Sequence, residues 1–186
     1  MKSKKLLLGS ILSVSILATS ANAADQKLID AVEQPSAAEI IKKDFLKPAQ
    51  KYTMPKGCLS GDKDSIARGE FIFHNLNGKK AKGTPPKGLA KFITKGDKKK
   101  PKQYGNCVAC HNIEGAKGAG NIGPDLTNYK KFFIDAKTRT HAYVYQKIAD
   151  PRIDNENTHM TVNLTSGLFT EEEICDITAY IISEKK

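Results

Sequence analysis

The pentapeptide Cys107-Val108-Ala109-Cys110-His111 constrains this chain more than any other stretch. On a turn of helix, residues i and i+3 project to the same side, so both sulfurs can bond one edge of a planar macrocycle. The next residue, His111, projects over that plane and can bind a central metal ion. This is the c-type haem attachment pattern, with thioethers from Cys107 and Cys110 and an axial iron ligand from His111. A zinc site would need a second ligand pair at finger spacing, and the sequence lacks one. A thioredoxin-like redox pair would need a βαβ pattern around it, which is also missing. One covalently attached haem c is therefore expected.

The sixth iron ligand must come from elsewhere in the chain. Met54, Met160, His74, His141 and His159 are the candidates. Met160 is read as the ligand, because a loop just before the last helix can drape its thioether over the open haem face. Thioether ligation raises the reduction potential relative to two histidines. His159 is its immediate neighbour and its rival. His74 and His141 read as surface or core residues.

Residues 1–23 carry Lys2, Lys4 and Lys5, then an apolar core from Leu6 to Leu17, then the small-x-small triplet Ala21-Asn22-Ala23. That order is the signature of a secretory signal cleaved after Ala23, which implies a periplasmic protein. The core is too short to span a bilayer comfortably, so the mature chain is not expected to insert. An uncleaved anchor is the alternative; no Cys follows Ala23 to carry a lipid. The formal net charge of +10 would by itself suggest nucleic acid or an acidic surface as partner. Export removes nucleic acid. Ten lysines and one acid, Asp97, lie between Lys79 and Lys102, so the positive charge is concentrated in one stretch.

Residues 24–61 read as an N-terminal extension with short helices over Ala24–Glu33 and Ser36–Phe45, interrupted by Pro35, Pro48 and Pro55. A first firm helix is predicted over 62–75, with Gly69 as a helix-crossing contact, because glycine costs about 1 kcal/mol there unless a backbone must come close. Residues 77–104 form a Lys-rich insert. Helices follow over 138–149, stopping before Pro151, and over 170–184, where Thr170 and Glu173 make a capping box. No stretch alternates as a strand would, so the fold class is all-α. The domain proper is expected over 62–186.

Taken in order, these segments resemble the class I cytochrome c fold. GNCVACHNIEGAKGAGNIGPDL (105–126), IADPRIDNENTHM (148–160) and FTEEEICDITAYI (169–181) resemble, more closely, the SoxX family. These proteins are the monohaem subunits of SoxAX thiosulfate-oxidising complexes. The resemblance implies that Pro124 supplies a backbone carbonyl to His111 and that Leu126 packs on the haem face. An ordinary Gly-Pro turn is the other reading of that stretch. It also implies an electron-transfer subunit, not the catalytic one, of an L-cysteine S-thiosulfotransferase complex. A SoxA-like cytochrome would be its partner, SoxYZ the carrier and a soluble cytochrome c the acceptor. A free-standing periplasmic monohaem carrier is the alternative. Cys58 and Cys175 remain outside the motif, an even number in an exported chain. The helices that carry or adjoin them pack together in a cytochrome c fold, so a disulfide is expected. Otherwise Cys175 is simply buried, and Cys58 is free or pairs with a partner.

Overall fold

The structure is a computed structural model that describes residues 48–161 and 163–185. The signal segment and the two short helices expected before residue 46 lie outside the described residues. Helix α1 (Lys63–His74) begins where the side chain of Asp62 accepts a hydrogen bond from the Asp64 N–H at 3.0 Å. This satisfies one of the backbone donors that the first helical turn leaves open. The helix ends at Asn75, whose side-chain amide donates to the Phe71 carbonyl at 2.9 Å.

Strands β1 (Phe92–Lys95) and β2 (Lys98–Pro101) then form an antiparallel hairpin, with Phe92 opposite Pro101 and Lys95 opposite Lys98. A 3-10 turn, Cys107–Ala109, opens the haem motif. A π-helical turn at Lys130–Asp135 follows, then helix α2 (His141–Ala149), a 3-10 turn at Pro151–Ile153 and helix α3 (Glu171–Ile182).

Helix α3 is the centre of the core. Thr170 and Glu173 form a reciprocal capping box at its start, the Glu173 N–H donating to Thr170 Oγ1 and the Thr170 N–H to Glu173 Oε2. Every residue from Glu173 to Ile181 is buried, so the apolar stripe expected from the sequence understates how far the helix is covered. Both α1 and α2 pack against it. Helix α1 crosses it at Gly69, where a Cβ would lie 1.9 Å from the Asp176 carbonyl oxygen and 2.8 Å from the Tyr180 Cβ. Phe73, Ile177, Tyr180 and Ile181 are buried around this crossing. Beside it Ser65 donates to Asp176 Oδ1 at 2.7 Å, and Arg68 donates to both carboxylate oxygens at 2.7 and 2.8 Å. A disulfide joins Cys58 to Cys175, with Cα atoms 5.1 Å apart.

The all-α expectation needs one correction, the hairpin. Phe92, Ile93 and Thr94 favour extended backbone, and Gly96 supplies the positive φ, +60°, that a two-residue turn requires. The lysines of β2 hid this pattern, because both faces of the ribbon are exposed and neither shows an apolar alternation. The insert that contains the hairpin is folded. The Gly78 N–H donates to the Lys102 carbonyl at 2.8 Å, the Lys102 N–H to the Lys91 carbonyl at 3.1 Å, and the buried Tyr104 hydroxyl to the Ala90 carbonyl at 2.8 Å. Lys102 also pairs with Glu173 at 2.8 Å, which fastens the insert to α3.

Candidate haem site

The motif is carried on the end of α1. The Tyr104, Gly105 and Asn106 N–H groups donate to the carbonyls of Leu76, Ile72 and Asn75 at 2.9, 3.2 and 3.0 Å. Asn106 adopts φ +47°, and the chain then turns so that the Cys110 and His111 N–H groups both donate to the Cys107 carbonyl, at 3.0 and 2.9 Å. Cys107 and Cys110 both lie on this turn, and neither is in a disulfide.

A glycine-rich return packs directly on the motif. The Gly120 N–H donates to the Val108 carbonyl at 2.9 Å, and the Gly123 N–H to the Cys110 carbonyl at 2.8 Å. A Cβ on Gly120 would lie 1.9 Å from the Ala109 carbonyl oxygen. A Cβ on Gly123 would lie 2.3 Å from His111 Cε1 and 2.6 Å from Nδ1. Glycine at 123 thus leaves a seat for the imidazole. From the same return, the Pro124 carbonyl oxygen lies 2.9 Å from His111 Nδ1. A carbonyl can only accept, so Nδ1 carries a proton, and in the neutral ring Nε2 keeps its lone pair. That tautomer is the one an axial iron ligand needs, and the carbonyl fixes the ring plane as an outer-shell partner does. The donor set and the glycine seat fit a covalently attached haem.

The other sequence candidates fall as follows. Leu126 is buried, and its N–H donates to the Asn112 carbonyl at 2.8 Å. Met160 is half-buried and packs against the core, whereas His159 beside it is exposed. Met54 is half-buried on the same core and His141 is exposed. His74 is half-buried, with Nε2 2.8 Å from the Tyr180 hydroxyl, and burial lowers its pKa.

Residues 98–185 match the family model described as Cytochrome c. The match supports a c-type cytochrome. It also supports the class I cytochrome c fold, covalent haem c and electron transfer as the general function. The chain is similar to an "Uncharacterized lipoprotein" of Aquifex aeolicus (strain VF5), 39% identical over 85 residues. The aligned region is 45% of this chain and spans 39% of that protein's length.

Sequence reasoning missed a buried polar centre next to the Met160 loop. Asp150, fully buried, accepts from the Arg152 N–H, Nε and guanidinium NH2 at 3.1, 2.9 and 2.8 Å. It also accepts from the Gln50 N–H at 3.0 Å and the Thr165 hydroxyl at 2.8 Å. Burial alone would raise its pKa, but the Arg152 guanidinium and the other donors outweigh this and hold it at about 2. The Asp150-Pro151 pair marks a helix start, which was the signal available; its partners lie far off in sequence.

Proposed function

We propose that this chain is a SoxX-like monohaem subunit that accepts electrons in the periplasm from a SoxA-like cytochrome. Cys107 and Cys110 would hold the haem as thioethers, and His111 Nε2 and Met160 would take the two axial positions. The observation that carries the haem reading is the His111 Nδ1 contact to the Pro124 carbonyl over the Gly123 seat. Bound there, haem c supplies a one-electron ferric/ferrous couple. The Pro124 carbonyl holds the proton on Nδ1, which keeps Nε2 free and raises its donor strength. Leu126, which is buried, and Met160, which packs on the core, would supply apolar surface that keeps water from the iron.

A filled sixth position leaves no place for substrate, so the sulfur chemistry belongs to the partner. There the terminal sulfur of thiosulfate would bond to a carrier cysteine sulfur, and the thiol proton and two electrons would leave. This chain would take those electrons one at a time and pass them to a soluble cytochrome. The charged–apolar–small start of the sequence supports a place in the envelope, as does a relative named as a lipoprotein. One observation favours the second reading, a free-standing carrier. Residues 50–58 are tied to this chain's own body by Asp150, Gln146 and Cys175 and are not held out as an arm.

Two measurements decide. Met160→Ala is expected to lose the sulfur-to-iron charge-transfer band of the oxidised protein and to let small ligands bind; survival of the band removes Met160 as ligand. Purification from a sulfur-oxidising host should yield a larger cytochrome bound to this chain and thiosulfate-dependent haem reduction. A monomer that thiosulfate and host extract leave oxidised would favour the free carrier.

A further inference from the structure

We propose that Asp150 is a positioning residue that holds Met160 at the haem by stapling the base of the loop that carries it. This inference rests on Met160 being the sixth ligand. Met160 lies in the segment between Asp150 and Thr165, and that segment is closed at its base. The Leu164 and Thr165 N–H groups donate to the Ala149 carbonyl at 3.1 and 3.4 Å, and the Thr165 hydroxyl donates to Asp150 Oδ2 at 2.8 Å. Inside the loop, the Met160 N–H donates to Thr158 Oγ1 at 3.2 Å, and the Asn163 amide donates to the Met160 carbonyl at 3.4 Å. Glu156, Asn157 and His159 are exposed, whereas Met160 and Leu164 pack on the core, Asn163 is buried and Asp154 pairs with Lys147. The polar contacts at the base set where the loop starts and returns.

The base is also clamped from outside. The Gln50 N–H donates to Asp150 Oδ2 at 3.0 Å, the Tyr52 N–H to Gln146 Oε1 at 2.6 Å, and the Gln146 amide to the Gln50 carbonyl at 3.1 Å. The Tyr52 hydroxyl lies 3.0 Å from Thr165 Oγ1. One fully buried carboxylate therefore joins the end of α2, both ends of the Met160 loop and the segment that leads to Cys58. Charge-assisted hydrogen bonds inside a protein are strong and directional, so such a hub fixes where the loop starts and returns. A thioether–iron bond is weak enough that an unpinned loop would exchange it for a competing ligand.

The experiment uses the holo-protein and imidazole as probe. Imidazole binding to the oxidised haem reads how often Met160 leaves the iron. Thr165→Val is expected to retain covalent haem and to bind imidazole roughly tenfold more tightly than wild type, as expected from losing one hydrogen bond to a charged group, and Asp150→Asn, which loses the charge and at least two of the bonds it accepts, to bind it at least as tightly as that. Their charge-transfer band should fade on warming before the helices melt. Arg68→Gln, which breaks the pair with Asp176 on the α1–α3 crossing, is the control: it should lower the melting temperature and leave imidazole affinity unchanged. Wild-type imidazole affinity in Thr165→Val, and in Asp150→Asn where it folds, overturns the proposal. So does an equal rise in affinity for Arg68→Gln, which would mean that the effect is general loosening. Failure of the ligand reading is separate, because the wild type would then lack the band or Met160→Ala would keep it.

Discussion

At the scale of single residues, two positions carry most of the argument. Gly123 is one: any side chain there must displace the His111 ring, since a Cβ would sit 2.3 Å from Cε1. Gly123→Ala is expected to cost about 1–3 kcal/mol by overpacking. It should also raise the reduction potential, because a ring pushed off the Pro124 carbonyl is a weaker donor to ferric iron. A redox titration and a melt of the holo-protein check both. Asp150 is the other. Its carboxyl is held at about 2, below its ordinary value, so its contribution is present above pH ~4 and is lost as pH falls from there through about 2. That contribution is on the order of 2 kcal/mol, from a depression of nearly two units. Denaturant midpoints at pH 5 and pH 2.5 should therefore fall further in wild type than in Asp150→Asn. Equal losses in the two proteins would show that other carboxylates carry the acid sensitivity.

At the scale of elements, the crossing of α1 and α3 shows one physical effect beating another. By helix propensity alone, Gly69→Ala should stabilise α1 by about 1 kcal/mol. The Asp176 carbonyl oxygen 1.9 Å from the new Cβ is backbone and cannot swing aside, so the helices must part. A net loss on the order of 1–3 kcal/mol is expected, read as a lower melting temperature; a rise would mean that the crossing is loose. This crossing was legible in the sequence because a mid-helix glycine has a cost that demands a reason. The ends of α3 were legible because a capping box is a local chemical pattern. The hairpin was not, since its strands bury neither face and its local signals were only the short run Phe92–Thr94 and Gly96 followed by Asp97. The haem motif could be read from spacing, and the role of the Gly-Pro return only through the resemblance to known cytochromes. The Asp150 centre could not, because Gln50 approaches it from a hundred residues away. Sequence patterns reveal what a residue needs from its neighbours; they do not reveal which distant donor meets a buried charge. The contact of Arg68 and Ser65 with Asp176 was hidden for the same reason.

At the scale of the whole molecule, the disulfide and the hydrogen-bonded segment behind it form one mechanical system. Cys58 and Cys175 are 117 residues apart in sequence, and most of the described core lies between them. Closing a loop of that length restricts the unfolded chain, and the chain-entropy model assigns it roughly 4–5 kcal/mol at 25 °C. Covalent haem lowers this figure, because iron ligands from distant segments also cross-link the unfolded chain. Cys58→Ser with Cys175→Ser should therefore destabilise the holo-protein by up to about 4 kcal/mol, and the haem-free protein by more. The double variant avoids leaving one thiol to react. The loss should not be uniform: residues 50–58 would then be held to the body by the contacts of Gln50 and Tyr52 with Gln146, Asp150 and Thr165 and by the packing of Tyr52 and Met54 on the core. Their amides should exchange with solvent sooner than those of α3, by a route that opens the segment without global unfolding. Uniform exchange across the segment and α3 would mean that the non-covalent contacts of the segment suffice to tie it into the cooperative core, with the disulfide adding only to overall stability.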